Sequence, residues 1–492
     1  MSADRGFFKN AAIYGLGSIA MQATSAVLLP LYTHYLSPAD YGVLEILERT
    51  GQIISLLLLG NGIQMATFSF YCQAGTEEER QRTFSSIAMV LYGILAIGGV
   101  GTFFLAPSLA SWLKIESSCL VLLGIVVVLL QGAWTFPMAL MQARVDSIPF
   151  VIANLLQAVT RMGLIIVAVV VFGLGLWGVL GASVLCLGLF VVVLTIREAV
   201  RGLRRPDPKI AGDIVRFALP LLPAGLFGLV LTSADRFFLL RYATPGDVGT
   251  YSLGFKLANV IPMLAIMPLW KVWTAKLYDY FTEPGATRIV GRVITRIMGV
   301  CTFIGLGVCI FGVDLVALLA TREYASAAQV IPIITVVTIL QTSSRLFDGS
   351  LWAMRQTRWK PLINALSATF AAGLLFWLVP HFGSIGAAVA LAVASLIHAY
   401  ATFFITQRVF FVSYEWSNIG IGIGSAVVFC FASSWIGVGP VSFLLRGVLW
   451  LGWPVLLWYL GIINVEEKAW LIQQFSKARR YASKLASVGS HP

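Results

Sequence analysis

Long uninterrupted apolar runs dominate this chain and restrict what it can fold into. Several runs exceed 18 residues, a length typical of helices that cross a bilayer rather than of buried core helices. Hydrophobic residues make up 58% of the 492 residues and charged residues 11%, whereas soluble domains carry about a quarter charged residues. The chain is therefore expected to be an all-α polytopic membrane protein, which excludes soluble enzymes and nucleic-acid-binding domains.

The runs predict about fourteen transmembrane helices with short connections. The predicted parts are an N-lobe of six spans (1–196), a basic cytoplasmic linker (197–212), a C-lobe of six spans (213–406), two further spans (407–463) and a basic amphipathic cytoplasmic tail (464–492). For the last dozen residues, a frayed, solvated end is the alternative interpretation. The spans are expected at 9–35, 41–71, 83–107, 118–142, 147–172, 175–196, 213–241, 246–275, 288–311, 326–347, 358–380, 383–406, 416–437 and 441–463.

Basic residues predict the orientation of the spans. With the N-terminus inside, the cytoplasmic loops contain most of the loop Lys and Arg, including the linker REAVRGLRRPDPK. The opposite side offers little beyond Lys114, Arg241, Arg322 and Arg446. Because cytoplasmic loops carry an excess of Lys and Arg, both termini are expected in the cytoplasm, and the formal net charge of +12 reflects these loops.

An eight-residue motif occurs twice. YLSPADYG at Tyr35–Gly42 recurs as YATPGDVG at Tyr242–Gly249, an offset of 207 residues. Helix-start chemistry explains each copy locally, because Ser or Thr caps a helix, Pro suits its first turn and Asp favours its positive end. Matches further downstream at the same offset are not explained by a turn, and they pair Glu45 with Ser252, Arg49 with Lys256 and Gln52 with Asn259.

A second correspondence lies near the far end of each half. Gly175 and Gly178 match Gly383 and Gly386 at an offset of 208. Six spans in the same order make each half, and an even number of spans gives parallel repeats related by an axis along the membrane normal. We expect two parallel six-span halves, with the last two spans appended.

Three segments resemble a known family of transporters. LLPLYTHYLSPADYGVLEI at Leu28–Ile46 resembles the junction of the first two spans of Wzx-type polysaccharide and oligosaccharide flippases. FALPLLPAGLFG at Phe217–Gly228 and the segment Ser233–Ile261 resemble their seventh and eighth spans. The resemblance covers most of the chain. That family belongs to the multidrug/oligosaccharidyl-lipid/polysaccharide exporter superfamily, so the resemblance implies a fold of two six-helix lobes around a central cavity.

The resemblance implies a substrate and a location. The substrate would be an oligosaccharide repeat unit on an isoprenoid (undecaprenyl-type) pyrophosphate. It would move from the cytoplasmic to the outer leaflet of the cell inner (plasma) membrane for O-antigen, exopolysaccharide or other surface polysaccharide synthesis. Membrane lipids and glycan-assembly proteins such as a polymerase are the implied partners. No cofactor, nucleic acid or enzymatic activity is expected.

Intramembrane cations are the candidate substrate-binding residues, because charge inside a span is costly and usually functional. Arg49 lies nine residues past Asp40, roughly 13 Å along its helix and near the membrane midplane. Lys256 has the same depth in the other half, and Arg161 is also deep. These three would bind the pyrophosphate, with Gln52 and Asn259 on the same polar stripes. Alternatively, Glu45 or Glu48 neutralises Arg49, and Arg161 ties its span to another group.

Four other charged residues are candidates for coupling or gating. Glu45 and Glu48 could couple transport to protons or sodium, or only balance Arg49. Asp235 and Arg236 could form an outer gate or contact the glycan. In the alternative interpretation, Asp235 satisfies Arg236 or Arg241 near the interface, and Arg236 snorkels. The membrane potential is a second candidate energy source, because an inside-negative potential favours outward movement of an anion.

Three other protein classes compete with the flippase. A cation-coupled multidrug exporter of the same superfamily would use acidic cavity residues. A major-facilitator transporter would need a Gly-x3-Asp-Arg pattern after its second span, where this chain reads CQAGTEEERQRT. A glycan polymerase or ligase would need a long outer loop, and the four His form no cluster in sequence. The six Cys lack CxxC or His spacing, which favours small apolar residues over a metal site.

Overall fold

A computed structural model describes residues 24, 27–58, 60–144, 146–202, 204–266, 285–354, 356, 358–437 and 439–461. These residues form helices, and the described part contains no strand. The helices are α1 Pro38–Leu57, α2 Gly60–Gln73, α3 Glu77–Trp112, α4 Ser118–Ala143, α5 Ser147–Ile166, α6 Gly175–Gly202, α7 Pro208–Ala218, α8 Leu221–Tyr242, α9 Pro245–Ala258, α10 Ala286–Ile310, α11 Gly312–Leu319, α12 Ala327–Ala353, α13 Trp359–Val409, α14 Trp416–Ser434 and α15 Pro440–Tyr459.

The all-α polytopic fold is confirmed. Within the described ranges, nine helices are long and apolar enough to cross a membrane, and α1 with α2 makes a tenth candidate bent by 46°. Observed boundaries follow the expected spans closely at α4, α10, α12, α14 and α15. The total of fourteen spans stays a prediction. Most of the first span, the end of the eighth and the whole tail 464–492 lie outside the described residues.

The described residues fall into two compact units. One combines those of Met1–Val260 and Leu315–Phe410, and the other combines those of Ile261–Asp314 and Phe411–Pro492. In the second unit α10, α14 and α15 pack around Leu306, Ala426 and Trp453, and Arg446 pairs with Asp314 at 2.6 Å. Every candidate substrate-binding, coupling or gating residue belongs to the first unit.

The expected seventh span is two helices. α7 ends at Ala218 and α8 begins at Leu221. Pro220 and Pro223 explain the break, because proline lacks an N–H donor and clashes with the preceding turn of a continuing helix. The linker 197–212 is also largely helical, since α6 continues to Gly202 and α7 begins at Pro208. Asp207 N donates to Ser86 Oγ at 2.8 Å, which ties the linker to α3.

The glycine correspondence between the halves has a conformational basis. Gly175, where α6 begins, has φ of 52°. Gly383, where α13 turns from one helix into the next, has φ of 53°. A residue with a Cβ is strained in this region and glycine is not, so both positions use glycine for the same backbone purpose.

Candidate functional site

The two copies of the repeated motif begin two helices that pack against each other, α1 and α9. Ser37 Oγ accepts from Asp40 N at 3.1 Å, and Thr244 Oγ1 accepts from Asp247 N at 3.2 Å. Each motif therefore caps its own helix, as its chemistry predicts. The sequence did not indicate that the two capped ends would meet each other.

The last glycine of each motif permits the contact between α1 and α9. A Cβ at Gly42 would lie 1.8 Å from Pro245 O, and a Cβ at Gly249 would lie 2.1 Å from Pro38 O. The two contacts are reciprocal, as expected for elements related by a repeat. Both helices approach backbone to backbone, and no side chain larger than hydrogen fits at either position. We call this contact the glycine crossing.

One buried carboxylate joins the two halves below the glycine crossing. Glu45 Oε1 accepts from Arg49 Nη2 at 2.6 Å and from Nε at 2.9 Å. Its other oxygen, Oε2, lies 3.1 Å from Lys256 Nζ of α9. Charge balance of Arg49 by Glu45 was one of the two alternatives from sequence. The sequence did not predict the contact with Lys256, whose acidic partner Glu45 comes from the other half of the chain.

The exposure of these three side chains differs. Glu45 is 1% exposed, whereas Arg49 is 19% and Lys256 32% exposed. The Lys256 ammonium also lies 4.9 Å from the centre of the buried Tyr41 ring. A solute approaching this cluster would therefore reach the cations before the carboxylate. The formal charge of the three groups together is +1.

A cavity of about 590 Å³ lies beside this cluster. Glu48, Gln52 and Arg161 line it, together with apolar residues of α1, α4, α6 and α8 and the polar side chains of Ser55, Gln131, Thr135 and Ser183. Arg161 Nε donates to Ser183 Oγ at 3.0 Å, so it is held by a hydroxyl of α6. Arg49 connects the cluster to the cavity, because its Nη1 donates to Gln52 Oε1 at 3.3 Å.

The remaining candidates occupy other positions. Asn259 is exposed and follows the C-terminus of α9, and neither Asn259 nor Lys256 lines the cavity. Arg49 and Lys256 are thus brought together around Glu45, and Gln52 contacts Arg49 and lines the cavity. Arg161 and Glu48 face the neighbouring cavity, and Asn259 is separate from both groups.

Asp235 and Arg236 form a buried pair in α8. Each is 1% exposed, and Arg236 Nη1 donates to the two carboxylate oxygens at 2.9 and 2.8 Å. Tyr251 Oη donates to Asp235 Oδ2 at 2.7 Å, which ties α8 to α9. The guanidinium lies 4.1 Å from the centre of the Phe255 ring. Snorkelling of Arg236 is wrong, because its charge is satisfied inside the protein and has no need of the interface.

Replacing Asp235 by Ala should destabilise the protein strongly. The change leaves a buried guanidinium without its counter-ion, which costs about 3–5 kcal/mol. The measurement is thermal unfolding of the detergent-solubilised protein. The double variant D235A/R236M should recover much of the loss, because apolar residues can replace a buried pair. An unfolding temperature of D235A equal to that of the wild type would contradict this.

A smaller polar cavity of about 170 Å³ lies between α8, α12 and α13. Its wall offers hydrogen-bonding side chains: Thr232, Gln341, Ser344, Arg345, Asp348, Lys360, Asn364, Ser395 and His398. Lys360 pairs with the buried Asp348, and Gln341 Nε2 donates to Ser395 Oγ at 3.4 Å. Gly228 lines both this cavity and the larger one, so the two are adjacent.

Sequence reasoning missed the two crossing glycines and most of the smaller cavity. The glycines had a signal, since each stands four residues after the proline in both motifs. Asp348 and Arg345, near the C-terminal end of α12, both line the smaller cavity. Its remaining polar residues come from α8, α12 and α13, and they had no shared spacing that would group them.

Comparison with known proteins agrees with this architecture. The model of the polysaccharide biosynthesis protein family matches residues 7–274, which is just over half of the chain. A curated relative, the probable low-salt glycan biosynthesis flippase Agl15 of Haloferax volcanii, is 22% identical over 258 residues. That match covers 50% of this chain and 54% of the relative, so the chain spans about half of the relative's length.

Solved structures share the fold. The lipid II flippase MurJ in an inward closed conformation superposes with a TM-score of 0.72 at 14% identity, over 91% of this chain and 100% of that one. A point mutant of the Vibrio cholerae MATE transporter VcmN has a TM-score of 0.57 at 14% identity, over 83% and 97%. The fold is thus that of these transporters, and the chain belongs to the polysaccharide biosynthesis protein family.

Proposed function

We propose that this protein is a flippase for a lipid-linked oligosaccharide. It moves a repeat unit on an isoprenoid pyrophosphate from the cytoplasmic to the outer leaflet of the inner membrane, by alternating access of two lobes. The observation that carries the proposal is the meeting of Arg49 and Lys256, one cation from each half, in the interior of the fold. Family membership and the similarity to Agl15 and MurJ support it.

The proposed roles follow from the chemistry of each side chain. Arg49 offers a fork of donors and Lys256 a point charge, and both suit a pyrophosphate. Gln52 orients the Arg49 guanidinium, while Arg161 supplies a third cation from the cavity wall. Asn259 stays a candidate contact outside this group. The amides and hydroxyls that line the smaller cavity can pair with sugar hydroxyls.

Coupling and gating remain proposals. Glu48, which lines the cavity, is a better candidate for proton or sodium coupling than Glu45, whose two oxygens face cations. The membrane potential can also drive outward movement of an anionic head group, at ~2.3 kcal/mol per charge per 100 mV. Asp235 and Arg236 would act as a gate through Tyr251 on α9. An O-antigen or exopolysaccharide pathway and a polymerase partner are part of the same proposal.

A cation-coupled multidrug exporter is the second candidate. The carboxylate of Glu48 at the cavity and the shared fold with VcmN favour it. The two candidates differ in the sign of the charge that the substrate carries. Arg161 faces the same cavity as Glu48, and the neighbouring cluster has a formal charge of +1, which favours an anion.

Transport by the purified protein in proteoliposomes distinguishes the two candidates. One set of vesicles contains lipid-linked oligosaccharide extracted from cells that make the protein, and a second is loaded with a cationic dye. We expect movement of the oligosaccharide between leaflets, measured by its accessibility to an external glycosidase, and no dye efflux above protein-free vesicles. Dye efflux without oligosaccharide movement would favour the multidrug exporter.

A further inference from the structure

Glu45 is the anionic member of the cluster that it forms with Arg49 and Lys256. A bound anion would be repelled by Glu45 and would compete with it for the two cations. The Glu45 carboxylate contacts Arg49 at 2.6 Å within α1 and Lys256 at 3.1 Å across to α9. Both cations are therefore occupied by an internal anion in this structure. An anionic substrate can engage them fully only by taking the place of that carboxylate.

The three side chains are arranged so that such a replacement can begin from outside the cluster. Arg49 and Lys256 keep part of their surface exposed, whereas Glu45 lies behind them and is almost completely buried. A pyrophosphate carries more charge than one carboxylate and offers more acceptor oxygens, so it competes well for both cations.

The glycine crossing lies about one helical turn from this cluster. Gly42 precedes Glu45 by three residues, which is about 4.5 Å along α1 at ~1.5 Å per residue. The crossing holds the ends of α1 and α9 backbone to backbone. In the predicted orientation, these ends of α1 and α9 lie at the outer side of the membrane. The glycine crossing therefore closes the space between the two helices on that side.

We infer that Glu45 is a substrate-displaced latch, which keeps α1 and α9 together through Lys256 until an anion takes its two cations. This inference rests on the proposed flippase function and names the step that follows binding. When Arg49 and Lys256 pair with the pyrophosphate instead, Glu45 is left buried and without a counter-ion. A buried charge without a partner is strongly unfavourable, and rehydrating it requires α1 and α9 to separate. Binding from the cytoplasmic side thereby opens the outer side.

A disulfide across the glycine crossing reports this separation. The Cβ of Pro38 lies 3.8 Å from the Cβ position at Gly246, within the range of about 3.5–4.5 Å that a disulfide needs. The P38C/G246C variant is made in a background whose six native cysteines are replaced by serine. Oxidation in proteoliposomes should cross-link the pair efficiently. Farnesyl pyrophosphate should lower the initial cross-linking rate roughly tenfold, within the usual range of coupling between sites, and farnesol should not.

Substitution of Glu45 distinguishes a latch role for this residue from a purely structural ion pair. E45Q should bind farnesyl pyrophosphate roughly tenfold more tightly than the wild type, because the internal competitor is removed. When E45Q is added to P38C/G246C, the disulfide should form more slowly than in P38C/G246C alone, even without ligand. If Glu45 only held Arg49 and Lys256 in position, E45Q would instead weaken binding of farnesyl pyrophosphate. E198Q is the matched control, since Glu198 is also buried and pairs with Arg144 at 2.7 Å, and it should change neither measurement.

The outcomes distinguish this inference from the proposed function. If farnesyl pyrophosphate binds and R49A/K256A abolishes binding, the anion site stands. The latch is then overturned if the ligand leaves cross-linking of P38C/G246C unchanged, or if E45Q binds no more tightly. If farnesyl pyrophosphate does not bind the wild type, the anion site and the latch both fail. The cross-linking arm needs no change at Glu45, so it decides the question even if E45Q does not fold.

Discussion

Replacing Arg49 and Lys256 together by alanine is expected to reduce oligosaccharide transport by roughly two orders of magnitude. Each charge-assisted hydrogen bond contributes about 1.5–3 kcal/mol, and every 1.4 kcal/mol is about tenfold. The measurement is the initial rate of oligosaccharide movement in proteoliposomes at equal protein content. Single variants should lose less, because one cation remains to hold the pyrophosphate.

Stability is the main confounding effect in this experiment. The double alanine variant leaves Glu45 buried without either partner, and this alone can destabilise the fold. The triple variant E45Q/R49A/K256A removes the stranded charge, so it should recover the unfolding temperature but not transport. R82A is a charge-matched control, since Arg82 belongs to an exposed pair with Glu78. Transport near the wild-type rate in the stable triple variant would contradict the anion site.

Alanine at Gly42 or Gly249 is expected to have the second large effect. The added Cβ would lie 1.8 or 2.1 Å from a backbone oxygen of the opposite helix. Backbone atoms cannot rotate away, so α1 and α9 must separate. Overpacking of this kind costs about 1–3 kcal/mol. We expect each substitution to lower the unfolding temperature and, when added to P38C/G246C, to slow formation of the disulfide.

Two other helical glycines provide a control, because alanine there should not destabilise the protein. At Gly93 and Gly101 of α3, no atom of a neighbouring element lies within 4 Å of an added Cβ. Alanine there should leave stability unchanged or raise it by about 0.5–1 kcal/mol, because glycine is disfavoured in a helix interior. If G42A were as stable as G93A and cross-linked as readily, the crossing would not be a tight contact.

The repeat predicted part of the candidate site from the sequence. Spacing and offset matched Arg49 to Lys256 and placed both at the same depth, because an α-helix has a constant rise and period. The same reasoning left charge balance by Glu45 as an open alternative for Arg49. It assigned no acid to Lys256, because it compared residues within one helix turn and could not see across to the other half.

The broken seventh span marks a limit of hydropathy, although Pro220 and Pro223 are visible in the sequence. Apolar content predicted a single seventh span over 213–241, and the structure divides it at Pro220 between α7 and α8. Hydropathy averages over a window, whereas a proline acts on one hydrogen bond. Gly175 and Gly383 were recognised as a matched pair, but their left-handed backbone had no signal in composition.

The sequence by itself determined the membrane class, the approximate positions of many helices and the register of the two halves. These follow from local quantities: apolar length, helix-start residues and a constant offset. Only the tertiary structure decided that the two motifs meet at Gly42 and Gly249 and that Glu45 bridges Arg49 and Lys256. The contacts between the halves join residues about 200 positions apart in sequence. They depend on how helices pack, which no local pattern encodes.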